Sequence, residues 1–305
     1  MSGPGPRLSV VLRVVAGRDG IERCVDALRR QAGRDALEII TPVTEPEALE
    51  LGPSLRAEVV LAPTAELPRG LARASAVHLR CDLGSAAGFD IARAPVIASL
   101  EDTAQPSADW FQAICEAHAS WPHEVIGGPI DVEAGDAAAW AAFWLDFAPH
   151  VPPRERADVA GLSDVNASYK RHALMAVRDI WARGFNEFVV HRAFQARGYR
   201  FLMLPAAGVT LQRPSRAWSA VLAERFWWGR VFGAARREVL PTRSLAVRAL
   251  AAPVLPALMA ARVARRVVPR AVHRRRLLGA VPSLLACGAA WCGGELIGEL
   301  TGEPF

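Results

Sequence analysis

Apolar and polar positions follow two rhythms over the first 130 residues. Short β-branched runs at 8–12 and 37–40 read as buried strands, with Pro42 and Pro46 punctuating the end of the second. Between them, residues 21–31 place Cys24, Val25 and Leu28 on one helical face. Residues 58–61 and 76–79 are weaker strand candidates, and 95–100 is another buried strand. The spacing then predicts a helix over 107–119, with Ser107 as N-cap, Asp109 in the first turn, and Trp110, Phe111 and Ile114 turned inward. Strands alternating with helices predict an α/β fold with a parallel sheet.

The middle of the chain is less regular. A short strand at 125–126 ends in Gly127-Gly128-Pro129, and Trp140, Phe143, Trp144 and Phe147 recur at helical spacing over 137–147. That stripe reads as core packing or the wall of a substrate site. The Pro- and charge-rich stretch 149–163 reads as a mobile loop. Residues 165–170 read as extended, 171–181 as helical, 188–198 as a helix closed by Gly198, and 201–204 as a return to the sheet. Two apolar segments, 249–261 and 277–291, close the sequence, each interrupted by proline and shorter than the roughly 20 residues that span a bilayer.

Charge changes the picture of that tail. The 305 residues carry +5 in total, yet residues 213–276 hold 15 arginines and two acids, a net of +13, so the remainder carries −8. Arginines 262, 265, 266, 270, 274, 275 and 276 lie between the two apolar segments. Arginine beside short apolar helices suits a helical hairpin lying in an anionic membrane surface, its guanidinium groups snorkelling to headgroups. A two-span anchor and a plain helical cap are the alternatives. The acidic remainder and the lack of a basic-aromatic strand pattern argue against nucleic acid. Five scattered cysteines (24, 81, 115, 287 and 292) fit neither a disulfide framework nor a zinc pattern, and Arg13 breaks the only N-terminal apolar run, which makes a poor signal peptide. These features predict a cytosolic location.

Ligands of open α/β sheets bind beyond the carboxyl ends of the strands. Glu101-Asp102 stands at such an end, where paired carboxylates hold a divalent cation or serve as solvated helix-entry charges. Glu187, at a loop–helix junction, fits a general base or a charge that complements the helix dipole. His191 reads as a packing residue, and Asn166 with Ser168 as a coincidental sequon. Arg225, Trp228 and Arg230 suit diphosphate binding or a membrane surface.

Taken in order, these pieces resemble family 2 glycosyltransferases of the GT-A fold over roughly residues 8–235. The metal-site stretch of that family corresponds to Glu101-Asp102-Thr103-Ala104-Gln105-Pro106-Ser107-Ala108-Asp109-Trp110. Its Gly-Gly-Pro corresponds to 127–129, and its Asn-x-Ser-Tyr-basic-Arg segment to Asn166-Ala167-Ser168-Tyr169-Lys170-Arg171. Its late acid before a helix ending Arg-Gly corresponds to Glu187, and its Arg-Phe-x-x-Gly-Arg segment to 225–230. The basic, apolar tail is similar to that subgroup's membrane-associated C-terminus. Four departures fall on the donor side. Arg13-Val14-Val15-Ala16 stands for Pro-Thr-x-Asn, Thr41-Pro42-Val43 for an acidic pair, Ser85-Ala86 for Arg-Asn, and Leu211 or Gln212 for a histidine.

The resemblance implies a GT-A-like, mostly parallel sheet over 8–210 and a helical, membrane-associating region over 211–305. It implies a hexosyltransferase-type enzyme that moves sugar, with inversion, from a nucleotide-sugar donor to a hydroxyl of a glycan or lipid-linked acceptor at the cytoplasmic face of a membrane. Glu187 is then the catalytic base; Asp102, Arg225 and Arg230 hold the donor diphosphate; Glu101 and Asp102 hold Mg²⁺ or Mn²⁺; and Asn166, Lys170 and Trp110 line the acceptor cleft. The alternative is a catalytically degenerate scaffold or partner subunit of the same fold.

Overall fold

The computed structural model describes residues 5–133, 135–213, 216–239 and 253–304. The chain falls into two compact units: Met1–Pro68, Leu79–Asp131 and Pro152–Gln212 form the first, and Arg69–His78, Val132–Val151 and Arg213–Phe305 the second. Against the division expected at 210/211, residues 69–78 and 132–151 group with the C-terminal part.

The first unit opens with β1 (Leu8–Arg13), α1 (Arg18–Arg29), β2 (Leu37–Val43), α2 (Glu45–Glu50), α3 (Pro53–Arg56) and β3 (Val60–Pro63). Helix α4 (Arg73–Ile91) leads to β4 (Val96–Glu101), β5 (Ala104–Pro106), α5 (Trp110–Ser120), β6 (Val125–Gly127) and β7 (Ile130–Glu133). After α6 (Ala137–Phe147), which belongs to the second unit, come β8 (Ala157–Val159), β9 (Asn166–Lys170), α7 (Arg171–Met175), α8 (Arg178–Trp181), α9 (Glu187–Ala196), β10 (Phe201–Met203) and β11 (Val209–Gln212).

Eight strands form one sheet in the order β3-β2-β1-β4-β9-β6-β10-β8. Pairs β2–β3, β1–β2, β1–β4 and β6–β10 are parallel, whereas β4–β9, β6–β9 and β10–β8 are antiparallel. Six strands therefore point one way, and β9 and β8 oppose them. All six residues of β1 and of β4 are buried, as expected of central strands covered on both faces. On one face Val11, Ile40, Ile97, Tyr169, Trp181 and Phe194 belong to a single core, within which Phe89 meets Trp181 and Phe185 edge to face. A three-stranded sheet, β5-β11-β7, stands apart from the large one.

Some expectations need correction. Residues 76–79 lie inside α4, not in a strand, because the apolar positions of that stretch continue at helical spacing through Cys81 and Phe89. The stretch 149–163 contains β8, which pairs with β10, so it is not wholly a loop. Helix α5 starts at Trp110 behind Asp109, and the Ser107 hydroxyl instead donates to the Ala206 carbonyl at 2.8 Å. Residues 171–181 form two short helices around the buried Val177. Of the apolar segment 249–261, residues 249–252 lie outside the described residues.

The second unit is helical, built from α6, α10 (Trp218–Val239), α11 (Leu255–Val267) and α12 (Ala271–Thr301). Helix α12, with a mean hydropathy of 1.5 over its most apolar 18 residues, is long and apolar enough to anchor in a membrane. It also packs on α10 without intervening side chains. A methyl group on Gly294 or Gly298 of α12 would collide with the carbonyls of Phe226 or Arg230, and one on Gly229 or Gly233 of α10 with those of Trp291 or Glu295. Two Gly-xxx-Gly pairs thus face each other, one on each helix. The aromatic stripe of α6 packs on the same helix, with Trp140 and Trp144 ringed against His273.

This contact yields a paired prediction. Gly298→Ala forces the α10 and α12 backbones apart and lowers stability by about 2 kcal/mol, despite a helix-propensity gain of roughly 1 kcal/mol. Gly279→Ala, on the same helix with open space around its Cβ, keeps only that gain. Far-UV circular dichroism melts of both variants read the opposite signs.

Candidate functional site

The strand order reverses direction of travel at β1, which has β2 on one side and β4 on the other. Such a switch point leaves a crevice beyond the strand carboxyl ends. There Arg13 and Glu101, the last residues of β1 and β4, are register partners. The loop before β9 reaches the same end, because β9 runs antiparallel to β4 and Asn166 pairs with Leu100.

Arg13 organises this end. Its Nη1 lies 2.6 Å from Oδ2 of Asp164 and 3.3 Å from the Ser85 hydroxyl of α4, and the residue is buried. Burial works against its charge, but Asp164, Asp82 and Glu101 outweigh that cost and raise its pKa above the usual arginine value. The Asp164 backbone N–H donates to Oε2 of Glu187 at 2.9 Å. Glu187 is the first residue of α9, behind an Asn186 cap whose side chain accepts from the Val189 N–H. Its other carboxyl oxygen lies 4.0 Å from Nδ1 of His191, whose Nε2 pairs with the Tyr169 hydroxyl at 3.0 Å. Thus Asp102, Arg13, Asp164 and Glu187 form a continuous run of contacts, since the Asp102 N–H also donates to the Arg13 carbonyl at 3.0 Å.

Several of these groups hold protons tightly. Burial and then the neighbouring Asp164 charge push Glu187 well above the usual carboxyl range. Burial raises Asp82 to about 8 despite Arg13. Burial and Glu101 raise Asp102 to about 7, against the pull of the backbone N–H groups of residues 15–17. Burial lowers His191 to about 4, so it is a neutral hydrogen-bonding partner at pH 7.

The expected metal pair does not fit a divalent ion. Asp102 is fully buried, and its two oxygens accept from the Val15 and Ala16 N–H groups at 2.9–3.2 Å. A Cβ built on Gly20 would lie 2.6 Å from Oδ2, so the α1 backbone covers that oxygen. Glu101 is 3% exposed and accepts the Thr103 hydroxyl. Among the described residues, no group of three or more His, Cys, Asp or Glu side chains is arranged to hold a metal ion.

The expected acceptor cleft is also corrected. Asn166 and Trp110 are buried against each other, Trp110 Nε1 donating to Asn166 Oδ1 at 3.0 Å, while the Asn166 amide donates to the Ala207 carbonyl at 2.8 Å. Both are structural pins. Lys170 pairs in register with Val96, four residues along β9 from Asn166, roughly 13 Å toward the opposite end of the sheet. Its ammonium donates to the Trp121 carbonyl.

Of the expected diphosphate arginines, Arg225 is completely buried. It pairs with Asp146 and Glu224 and lies over the rings of Trp228 and Trp291, so it cannot meet a diphosphate. Arg230 donates to the Glu303 carbonyl at 3.0 Å and lies over Trp227. Arg13, Asp82 and Asp164 were missed by the sequence reading; the one available signal was a charged residue closing the apolar run of β1. A cleft lined by Leu28, Arg29, Leu37, Ile39 and Glu58 sits at the amino end of β2, away from these groups. All five cysteines are buried, and none is in a disulfide. Family models and curated protein sequences yield no match to this chain.

The proton load makes stability depend on pH with a definite sign. A carboxyl whose folded pKa is raised favours folding below its ordinary pKa near 4 and loses that advantage as pH climbs to the folded value. Asp82 and Asp102 therefore make the fold progressively less stable between about pH 4 and their folded values of about 8 and 7. Asp82→Asn removes the larger part of that slope. Its melting temperature exceeds the parent's at pH 8, and the gap closes toward pH 4; thermal melts across that range measure it.

Proposed function

We propose that the chain is a glycosyltransferase of the GT-A type, moving a sugar from a nucleotide-sugar donor to an acceptor hydroxyl at the cytoplasmic face of a membrane. The observation that carries this reading is the meeting of the strand-end acids with Glu187 at the switch point, through Arg13 and Asp164. In this reaction Glu187, the half-buried member of the group, takes the proton of the acceptor hydroxyl. The freed oxygen forms its bond to the anomeric carbon from the face opposite the leaving group. The carbon–oxygen bond to the diphosphate breaks, and its electron pair leaves with the nucleotide. A raised carboxyl pKa makes Glu187 a stronger base once ionised.

A second reading, a transferase fold kept as a non-catalytic partner subunit, draws support from the enclosed Asp102 and Arg225. The two part on one measurement. Calorimetric titration with UDP-, GDP- and dTDP-sugars, with metal and with chelator, finds a binding donor for the enzyme and none for the scaffold. For the enzyme, Glu187→Gln lowers turnover by about 10³-fold or more while the melting curve keeps its shape. Donor binding with an unaffected Glu187→Gln rate removes Glu187 from the mechanism.

Membrane placement rests on the tail. Val254 and Leu258 of the α11 region and Leu278, Val281 and Leu285 of α12 are exposed, as are Arg262, Arg265, Arg274 and Arg275 on the same two helices. The buried residues of α12 include Glu295, 3.0 Å from Arg236, and Glu299 at 3.7 Å. Ion pairs on the packed side and apolar side chains with arginines on the free side suit a helix lying in the interface more than one crossing it. Flotation with phosphatidylglycerol vesicles is expected to carry the protein, phosphatidylcholine vesicles much less, and Leu278→Glu/Leu285→Glu protein hardly at all. Equal binding of that variant removes this face from the contact.

A further inference from the structure

The carboxylate cluster at the ends of β1 and β4 carries a cation of its own. We propose that the Arg13 guanidinium is the fixed counter-charge of this cluster, standing where a bound divalent ion would otherwise be needed, and that the chain holds no Mg²⁺ or Mn²⁺ there. The proposal goes beyond sugar transfer and stands whether or not the chain catalyses it, because metal binding and folding are its readouts.

Three observations converge. First, Arg13 is placed by the sheet itself: it is the last residue of β1, in register with Glu101 of β4, and it is buried where it meets Asp164 at 2.6 Å and Ser85 at 3.3 Å. A guanidinium stays charged at every working pH and offers five donors in a rigid plane, so one residue can face several acids. Second, the acids a metal would use are committed elsewhere. Asp102 caps the turn after β1 through the Val15 and Ala16 N–H groups, the Gly20 backbone covers its Oδ2, and Glu101 accepts the Thr103 hydroxyl. Third, Mg²⁺ needs near-octahedral oxygen ligands at about 2.1 Å and keeps several waters. A dication held by Glu101 would face the repulsion of the Arg13 charge, which already interacts with that carboxylate in a buried region.

Electrostatic balance follows. Burying one member of an ion pair without the other is strongly destabilising, so removing Arg13 leaves Asp164 and its neighbours repelling one another. Protonation at low pH relieves that repulsion; a purely steric role for the long side chain would leave no such pH signature.

The test uses the full chain. Electron paramagnetic resonance of added Mn²⁺ is expected to show only the free ion at up to millimolar concentration, and the melting midpoint is expected to be the same in Mn²⁺ and in EDTA. Arg13→Met is expected to melt about 10 °C below the parent at pH 8, with the deficit narrowing toward pH 5, while Arg13→Lys recovers part of it. Where Arg13→Met yields no folded protein, Arg13→Met/Asp164→Asn is read instead; it is expected to fold, because the orphaned carboxylate is gone. Stoichiometric Mn²⁺ binding that Asp102→Asn abolishes overturns the proposal, as does a midpoint that drops in EDTA. A pH-independent Arg13→Met deficit, or a double variant that remains unfolded, overturns it equally.

Discussion

A single buried guanidinium sets the terms for the carboxyl end of the sheet. Arg13 is the terminal residue of a mainly apolar strand, so the chain pays for its burial with acids from three separate segments: Asp82 in α4, Glu101 at the end of β4 and Asp164 before β9. The ionic contact with Asp164 fixes the loop before β9, and the Asp164 N–H then fixes the Glu187 carboxyl. Backbone groups complete the arrangement, with Asp102 tying the β1–α1 turn to β4. A charge at the end of a strand therefore does here what a loop hydrogen-bond network alone would do poorly: it brings segments 13, 82, 101, 164 and 187 into one electrostatic neighbourhood.

The helical unit meets a related problem with other means. Its arginines divide into two populations. Arg225 and Arg236 are drawn inward, the first held by Asp146 and Glu224 and the second by Glu295 and Glu299. Arg225 drives Glu224 down to about 2, overcoming the opposing effect of burial, which marks the pair as a structural element with a fixed charge state. Arg262, Arg265, Arg274 and Arg275 remain exposed beside Leu258 and Leu278. The close approach of α10 and α12 through opposed glycines lets the Arg236 ion pairs bridge the two helices at short range. What is left on the free side is basic and apolar, a combination that water alone does not favour.

Much of the fold was legible because its strands are buried on both faces and therefore read as unbroken β-branched runs; β1, β2 and β4 all fall close to where periodicity puts them. The 76–79 stretch misled because four apolar-rich residues cannot separate a strand from the middle of a 19-residue helix. The site was less legible, and for a physical reason. Sequence marks which residues could do chemistry, but burial decides which of them are free to do it. Asn166, Trp110 and Arg225 have the right residue types and lie in the right order, yet each spends its polar atoms inside the protein. Lys170 shares a strand with Asn166 but lies at its far end, which only register with β4 reveals. Arg13 and Asp164, 151 positions apart, carry no mutual signal in the sequence at all.

The proton inventory constrains what this end of the sheet can receive. Asp164, Asp82 and Glu101 face the Arg13 charge, and burial raises the proton affinity of Asp82, Asp102 and Glu187. With Arg13 already paired to Asp164, its charge is not left over for a diphosphate. A neutral ligand, by contrast, meets no such barrier. The electrostatics of this end therefore suit a neutral ligand better than an anionic one, and an anion must find its counter-charge away from Arg13.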